Sequence, residues 1–114
     1  MSRKLSVVIC VYNEAENIRP LIERLLNALQ GIDCEIVFVD DGSTDTTLAK
    51  LKTYKNSSIK IVEFRRNYGQ SAALAAGIEY ANAEWIVTMD GDLQNDPADI
   101  PRMLNLAEDK SLDL

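Results

Sequence analysis

Val7-Val8-Ile9-Cys10-Val11-Tyr12-Asn13-Glu14 is a β-branched apolar run that ends abruptly in a polar turn. A continuous run of this kind, opening at residue 5, is the mark of a strand buried on both faces, as in a parallel sheet. The same pattern returns twice. Ile36-Val37-Phe38-Val39 leads into Asp40-Asp41-Gly42-Ser43, and Trp85-Ile86-Val87-Thr88-Met89 leads into Asp90-Gly91-Asp92-Leu93-Gln94. In an open parallel α/β sheet, ligands bind outside the carboxyl ends of the strands. Three polar clusters behind three strands therefore converge on one crevice. Carboxylates gathered there repel one another unless a cation joins them, so the pattern predicts a nucleotide-plus-metal site.

Between these strands the periodicity is helical. Ile18, Leu21, Ile22, Leu25, Leu26 and Leu29 fall on one face of a helix from about residue 16 to 29. Pro20 is compatible with that helix only in its first turn, and Gly31 is placed to cap its end. A second strand is expected over 34–39. A second helix, capped by Ser43, Thr44 or Asp45, is expected to run to about Tyr54. A third strand covers 59–64, followed by an alanine-rich helix that ends near Tyr80. Its small residues allow close approach to the sheet. A fourth strand spans 85–89 and a fourth helix runs from Pro97 to about Glu108. This alternation predicts a Rossmann-like α/β fold, a parallel sheet with flanking helices. Right-handed crossovers bring the strand-to-helix turns to one edge. Ser111-Leu112-Asp113-Leu114 reads as the start of a further strand, cut short, from which a truncated chain or a fragment of a longer protein is expected.

Composition narrows the function. The 114 residues form at most one domain. Their net charge of −6 argues against nucleic acid as a partner. The absence of histidine removes Ser-His-Asp chemistry and most zinc sites. The two cysteines, Cys10 and Cys34, both fall in expected strands and read as inert buried thiols in a reducing, cytoplasmic setting. No apolar run approaches the ~20 residues of a membrane span.

Each cluster also has an ordinary reading. Asp90-Gly91-Asp92 is either a turn or a pair of oxygen ligands for magnesium or manganese. An EF-hand is excluded, since its sixth position would be Asn95 and its twelfth Pro101. Asp40-Asp41-Gly42-Ser43 either caps a helix or sets a carboxylate against a base or ribose. Asn13 with Glu16 resembles a capping box, while Tyr12 and Glu14 are placed to stack on and hydrogen-bond a base. Arg65 and Arg66 are either surface charges or partners of a diphosphate or of the acidic cluster. Asn67 and Gly69 shape the turn.

Taken together and in order, Val7-Val8-Ile9-Cys10-Val11-Tyr12-Asn13-Glu14, Val39-Asp40-Asp41-Gly42-Ser43-Thr44-Asp45, Arg66-Asn67-Tyr68-Gly69-Gln70 and Asp90-Gly91-Asp92-Leu93-Gln94 resemble the family 2 glycosyltransferases of the GT-A fold. Asp-x-Asp-Leu-Gln and the Arg-Asn-aromatic-Gly turn are most similar to the polyprenyl-phosphate (dolichol-phosphate-type) branch. The resemblance implies a nucleoside pocket lined by Tyr12, Glu14, Val39 and Asp41. It implies Asp90 and Gly91 beside ribose and diphosphate, and Mg2+ or Mn2+ on Asp92 and Gln94. Asp92 and Asp90 are then the catalytic pair. Two residues depart from the family pattern: Val11 where proline is common and Gly91 where alanine is common. The glycine is expected to loosen its loop.

By this resemblance residues 1–114 are the donor nucleotide-sugar-binding half, with the acceptor half and any membrane helices absent. The implied reaction is inverting transfer of a sugar from a nucleotide-diphosphate donor, UDP-sugar first and GDP-sugar second, to a lipid-phosphate or glycan acceptor. The parent protein would be membrane-associated with this domain on the cytoplasmic side. The alternative is a nucleotide-binding module without turnover. A phosphoryl-accepting receiver domain fits less well, since its third strand should end in an aspartate and this one ends in Arg65-Arg66. A nucleotidyltransferase would open with a glycine-rich basic loop where Tyr12-Asn13-Glu14 stands. An incomplete sheet also leaves an open edge, from which self-association as a homo-oligomer is expected.

Overall fold

The computed structural model describes residues 3–93 and 95–110. Strands β1 (Arg3–Val11), β2 (Cys34–Asp40), β3 (Ile59–Glu63) and β4 (Ala83–Asp90) alternate with helices α1 (Ala15–Ala28), α2 (Thr47–Lys52), α3 (Gln70–Tyr80) and α4 (Ile100–Lys110). A 3₁₀ turn, Pro97–Asp99, precedes α4; the Asp96 carboxylate starts it by accepting the Ala98 N–H at 3.0 Å. The four strands are parallel in the order β3-β2-β1-β4. The chain walks outward from β1 to β3, then returns to lay β4 on the other side of β1. The order therefore reverses at β1, and its carboxyl end is where a ligand crevice opens in such a sheet.

Strand alternation divides the core into two layers. Leu5, Val7, Ile9 and Val11 of β1 join Ile36 and Phe38 of β2, Ile18, Leu21, Ile22 and Leu25 of α1, Leu51 of α2, and Ile100 and Leu104 of α4 in one buried cluster. The opposite face is covered by α3. There the helix lies so close that a Cβ on Gly77 would stand 2.4 Å from Val8 Cγ1 and 3.0 Å from Val39 Cγ2. Ala73, a turn earlier, is also fully buried. The expected close approach of the alanine-rich helix is what the structure has.

Three local expectations change. Pro20 is the sixth residue of α1, beyond the first turn, where its ring removes a backbone hydrogen bond and crowds the preceding turn. The buried apolar stripe on either side of it, from Ile18 to Leu25, outweighs that cost. Asn13 does not cap α1. It takes a left-handed backbone (φ 52°), and Glu14 holds the cap position without its side chain bonding a backbone N–H of the helix. The second helix is short, ending at Lys52, because residues 53–58 turn back directly into β3. Residues 111–114, read above as the start of a strand, lie outside the described residues.

One buried carboxylate ties the α3 face together. Glu35 is the second residue of the apolar strand β2 and is 1% exposed. Its Oε1 accepts from Lys60 Nζ at 2.7 Å, and its Oε2 from the Asn82 N–H at 2.7 Å and from the Ser6 hydroxyl. Burial pushes the Glu35 carboxyl up, but the Asn82 N–H, Lys60 and Ser6 together outweigh it and hold the group below its usual range.

Candidate active site

The four strand-to-helix turns meet at the carboxyl edge of the sheet around a cleft of about 420 Å3, within the usual size of a ligand pocket. Hydrogen bonds link each turn to the next and close a ring. The Asn13 N–H donates to Ser43 Oγ at 2.9 Å, and Asn13 Oδ1 accepts the Thr44 N–H at 2.8 Å. The Asp41 carboxylate accepts the N–H of Tyr68 at 2.8 Å and of Gly69 at 3.1 Å. The Gln70 side-chain amide donates to Asp90 Oδ1. The Gly91 N–H returns to Cys10 C=O at 3.2 Å. Local chemistry supports the ring from behind. Ser43 donates to Asp40, whose carboxyl burial pushes up, and Thr47 accepts the Glu14 N–H at 2.9 Å while donating to Asp45. The cap position of α2 is Thr46, one residue beyond the three expected, and it makes no side-chain cap bond; of those three, Asp45 accepts the Thr47 N–H at 2.9 Å.

Two glycines allow the ring to close. Gly42 has φ 73°, and a Cβ there would lie 2.2 Å from the Arg66 carbonyl carbon. Only glycine combines that backbone with so close a neighbour. A Cβ on Gly91 would stand 2.6 Å from Val11 Cγ1 and 3.0 Å from Cys10 O. The expectation of a loosened loop is thus reversed: the missing side chain lets the turn seat tightly on β1. The two departures from the family pattern, Val11 and Gly91, are in contact. Gly91→Ala is expected to cost about 1–3 kcal/mol by overpacking, and Val11→Ala in the same chain should recover part of it. Urea denaturation of the single and double variants checks this.

Of the residues singled out in the sequence, the structure brings Tyr12, Glu14, Asp41, Asp90, Gly91 and Asp92 to the cleft wall. Tyr12 is 43% exposed, a ring available for stacking. Glu14 is half-buried and accepts from Asn17 Nδ2 at 2.7 Å. Val39 is not brought there. Its side chain is fully buried under Gly77 of α3, because alternation turns it to the helix-covered face. Gln94 lies outside the described residues. Neither Arg65 nor Arg66 lines the cleft, and Arg66 lies over the Tyr68 ring, 5.5 Å from its centre. Cys10, Asn67 and Gln70 line the cleft without having been singled out as site residues. Gln70 could have been found, since it closes the Arg-Asn-Tyr-Gly-Gln stretch. The Cys10 thiol is pushed up to about 11 by burial and by the charges of Asp90 and Asp41, which keeps it protonated and unreactive.

The carboxylates of Asp41, Asp90 and Asp92 make the cleft acidic. Its acidic donors are hard oxygens, the set that suits magnesium or manganese. Among the described residues no three acidic, histidine or cysteine side chains are grouped to hold an ion. Two carboxylates with phosphate oxygens and water completing the shell are the usual arrangement for magnesium at a nucleotide, so the residues present fit such an ion.

Comparison with known proteins agrees with this geometry. Residues 6–114 match the family described as Glycosyl transferase family 2. The chain belongs to that family. It is 46% identical, over 99% of its length, to a dodecaprenyl-phosphate galacturonate synthase of Rhizobium johnstonii, of which it spans 35%. Among solved structures it resembles S. aureus TarS 1-349 in complex with UDP, with a TM-score of 0.73 and 26% identity over 93% of this chain and 32% of that one. It likewise resembles the mannosyltransferase PcManGT from Pyrobaculum calidifontis in complex with GDP-Man and Mn2+, with a TM-score of 0.70 and 26% identity over 81% of this chain and 28% of that one. The GT-A architecture expected from the motifs is the architecture found. The chain spans about a third of the length of these relatives. No helix among the described residues is long and apolar enough to cross a membrane.

Proposed function

We propose that this chain is the donor-binding half of a glycosyltransferase that moves a sugar from a nucleotide diphosphate to a polyprenyl phosphate. The observation that carries the reading is the closed ring of turns, which sets Tyr12, Glu14, Asp41, Asp90 and Asp92 around one cleft at the point where the strand order reverses. The 46% identity to a synthase named for a dodecaprenyl phosphate supports the acceptor class. The complexes of the structural relatives with UDP and with GDP-Man support the donor class.

In this reading Tyr12 offers its ring to the base. Asp41, fixed by two backbone N–H groups, keeps lone pairs for a base N–H or a ribose hydroxyl. Asp90 and Gly91 lie beside the ribose and diphosphate, and Asp92 with Gln94 would hold Mg2+ or Mn2+. When bound, such an ion supplies positive charge against which a diphosphate can leave. A lipid phosphate is anionic at neutral pH and needs no strong base to attack the anomeric carbon. The new carbon–oxygen bond forms as the bond to the diphosphate breaks, with inversion. The reading puts this half on the cytoplasmic side of a membrane, where an anionic lipid acceptor would be presented to it. The test uses the full-length protein with radiolabelled UDP- and GDP-sugars, polyprenyl phosphate and Mn2+. Label passing to the lipid, and lost with Asp92→Ala, is the expected result. Transfer that survives Asp92→Ala would refute the metal-holding role.

A further inference from the structure

We propose that Gln70 is a positioning residue that presents the Asp90 carboxylate to the donor. The inference rests on the donor-site reading above. Gln70 opens α3, and its backbone is fixed on both sides. The preceding Gly69 N–H is held by Asp41, and the helix behind is seated on the sheet through Ala73 and Gly77. From that fixed start its side chain reaches from the third turn to the fourth and donates Nε2–H to Asp90 Oδ1. This is the link by which the ring passes from the β3–α3 turn to β4. The donor is an amide, so it orients the carboxylate without neutralising it. A lysine or arginine there would hold Asp90 but would also compete with a cation for its charge. Asp90 is exposed at its strand end, and a side chain so placed samples several rotamers unless a partner selects one.

The test pairs Gln70→Leu, which removes the donor at similar volume, with Asp90→Ala, which removes the acceptor. Calorimetric titration of UDP and of GDP with Mn2+ into the chain is expected to show about tenfold weaker binding for Gln70→Leu, the loss of one hydrogen bond to a charged group. In the Asp90→Ala background the same change should alter affinity by less than about twofold, since the pair acts through one bond. In the free protein, the Gln70 side-chain amide resonances should stand apart from those of the exposed Gln30 and move toward them in Asp90→Ala. An equal Gln70→Leu penalty in both backgrounds, or amide resonances that ignore Asp90→Ala, would overturn the proposal. If the unaltered chain binds neither nucleotide, the donor-site reading fails, and the amide resonances still decide whether Gln70 holds Asp90.

Discussion

Glu35→Ala should remove about 1–3 kcal/mol of stability, the usual cost of leaving a buried polar group without its partner. A domain of this size has only about 5–15 kcal/mol in total, so the variant is expected to fold with a clearly lowered urea midpoint. The size of the effect follows from what is left behind. Lys60 Nζ, the Asn82 N–H and the Ser6 hydroxyl all converge on this one carboxylate, and removing it leaves the fully buried Ser6 hydroxyl without its acceptor, while Lys60, partly exposed, can turn to water. Glu35→Gln keeps an acceptor and should cost less. Urea denaturation measures both. A stability for Glu35→Ala within about 0.5 kcal/mol of the parent, the ordinary range for a surface change, would show that the network adds nothing.

The same group sets a pH dependence. Its carboxyl is held below the usual value in the folded chain, so the unfolded chain binds the proton more readily. The stabilisation is therefore complete above the unfolded pKa, about 4.3, and is lost as pH falls through the lower folded value. Acid titration of stability should show a limb below about pH 4.3 that is shallower in Glu35→Gln.

Gly42→Ala is expected to disturb the site through its backbone. The new methyl would need a left-handed backbone and would meet main-chain atoms of Arg66 and Asn67 at 2.2 and 2.5 Å. Main chain cannot rotate out of the way as the tip of a side chain can, so the 65–69 loop must move as a whole. Asp41 then loses the N–H groups of Tyr68 and Gly69. Two hydrogen bonds to a charged group are together worth about 3–6 kcal/mol, and nucleotide affinity should fall about 10- to 150-fold if half of that is lost from binding. Binding measured by calorimetry, with circular dichroism to confirm that the sheet persists, tests this. Unchanged affinity would mean that the loop plays no part in holding the donor.

What could be read in the sequence is what local patterning determines. Buried parallel strands announce themselves by unbroken runs such as Val7–Val11, and the polar residues behind them are necessarily at one edge of the sheet. That was enough to gather Tyr12, Glu14, Asp41, Asp90, Gly91 and Asp92. The contacts that lock the site were not legible, because they join residues far apart in the chain: Asp41 to Tyr68, and Gln70 to Asp90. Glu35 carried a signal in being a charge inside an apolar strand, yet its partners Ser6, Lys60 and Asn82 come from three other segments. Val39 shows the limit of motif-based assignment. It adjoins the acidic pair in sequence, but its side chain faces the α3 side of the sheet. Pro20 shows the limit of propensity, which tertiary burial overrides.

In the proposed donor site, the cleft would bind a nucleotide diphosphate through a divalent ion on the 90–92 turn. Calorimetric titration of UDP and GDP, each with and without Mn2+, against this chain and its Asp92→Asn variant tests it most directly. Binding of one nucleotide that requires the metal and is lost in the variant is the expected result. Binding that is indifferent to both Mn2+ and Asp92→Asn, or no binding by a chain shown to be folded, would contradict it.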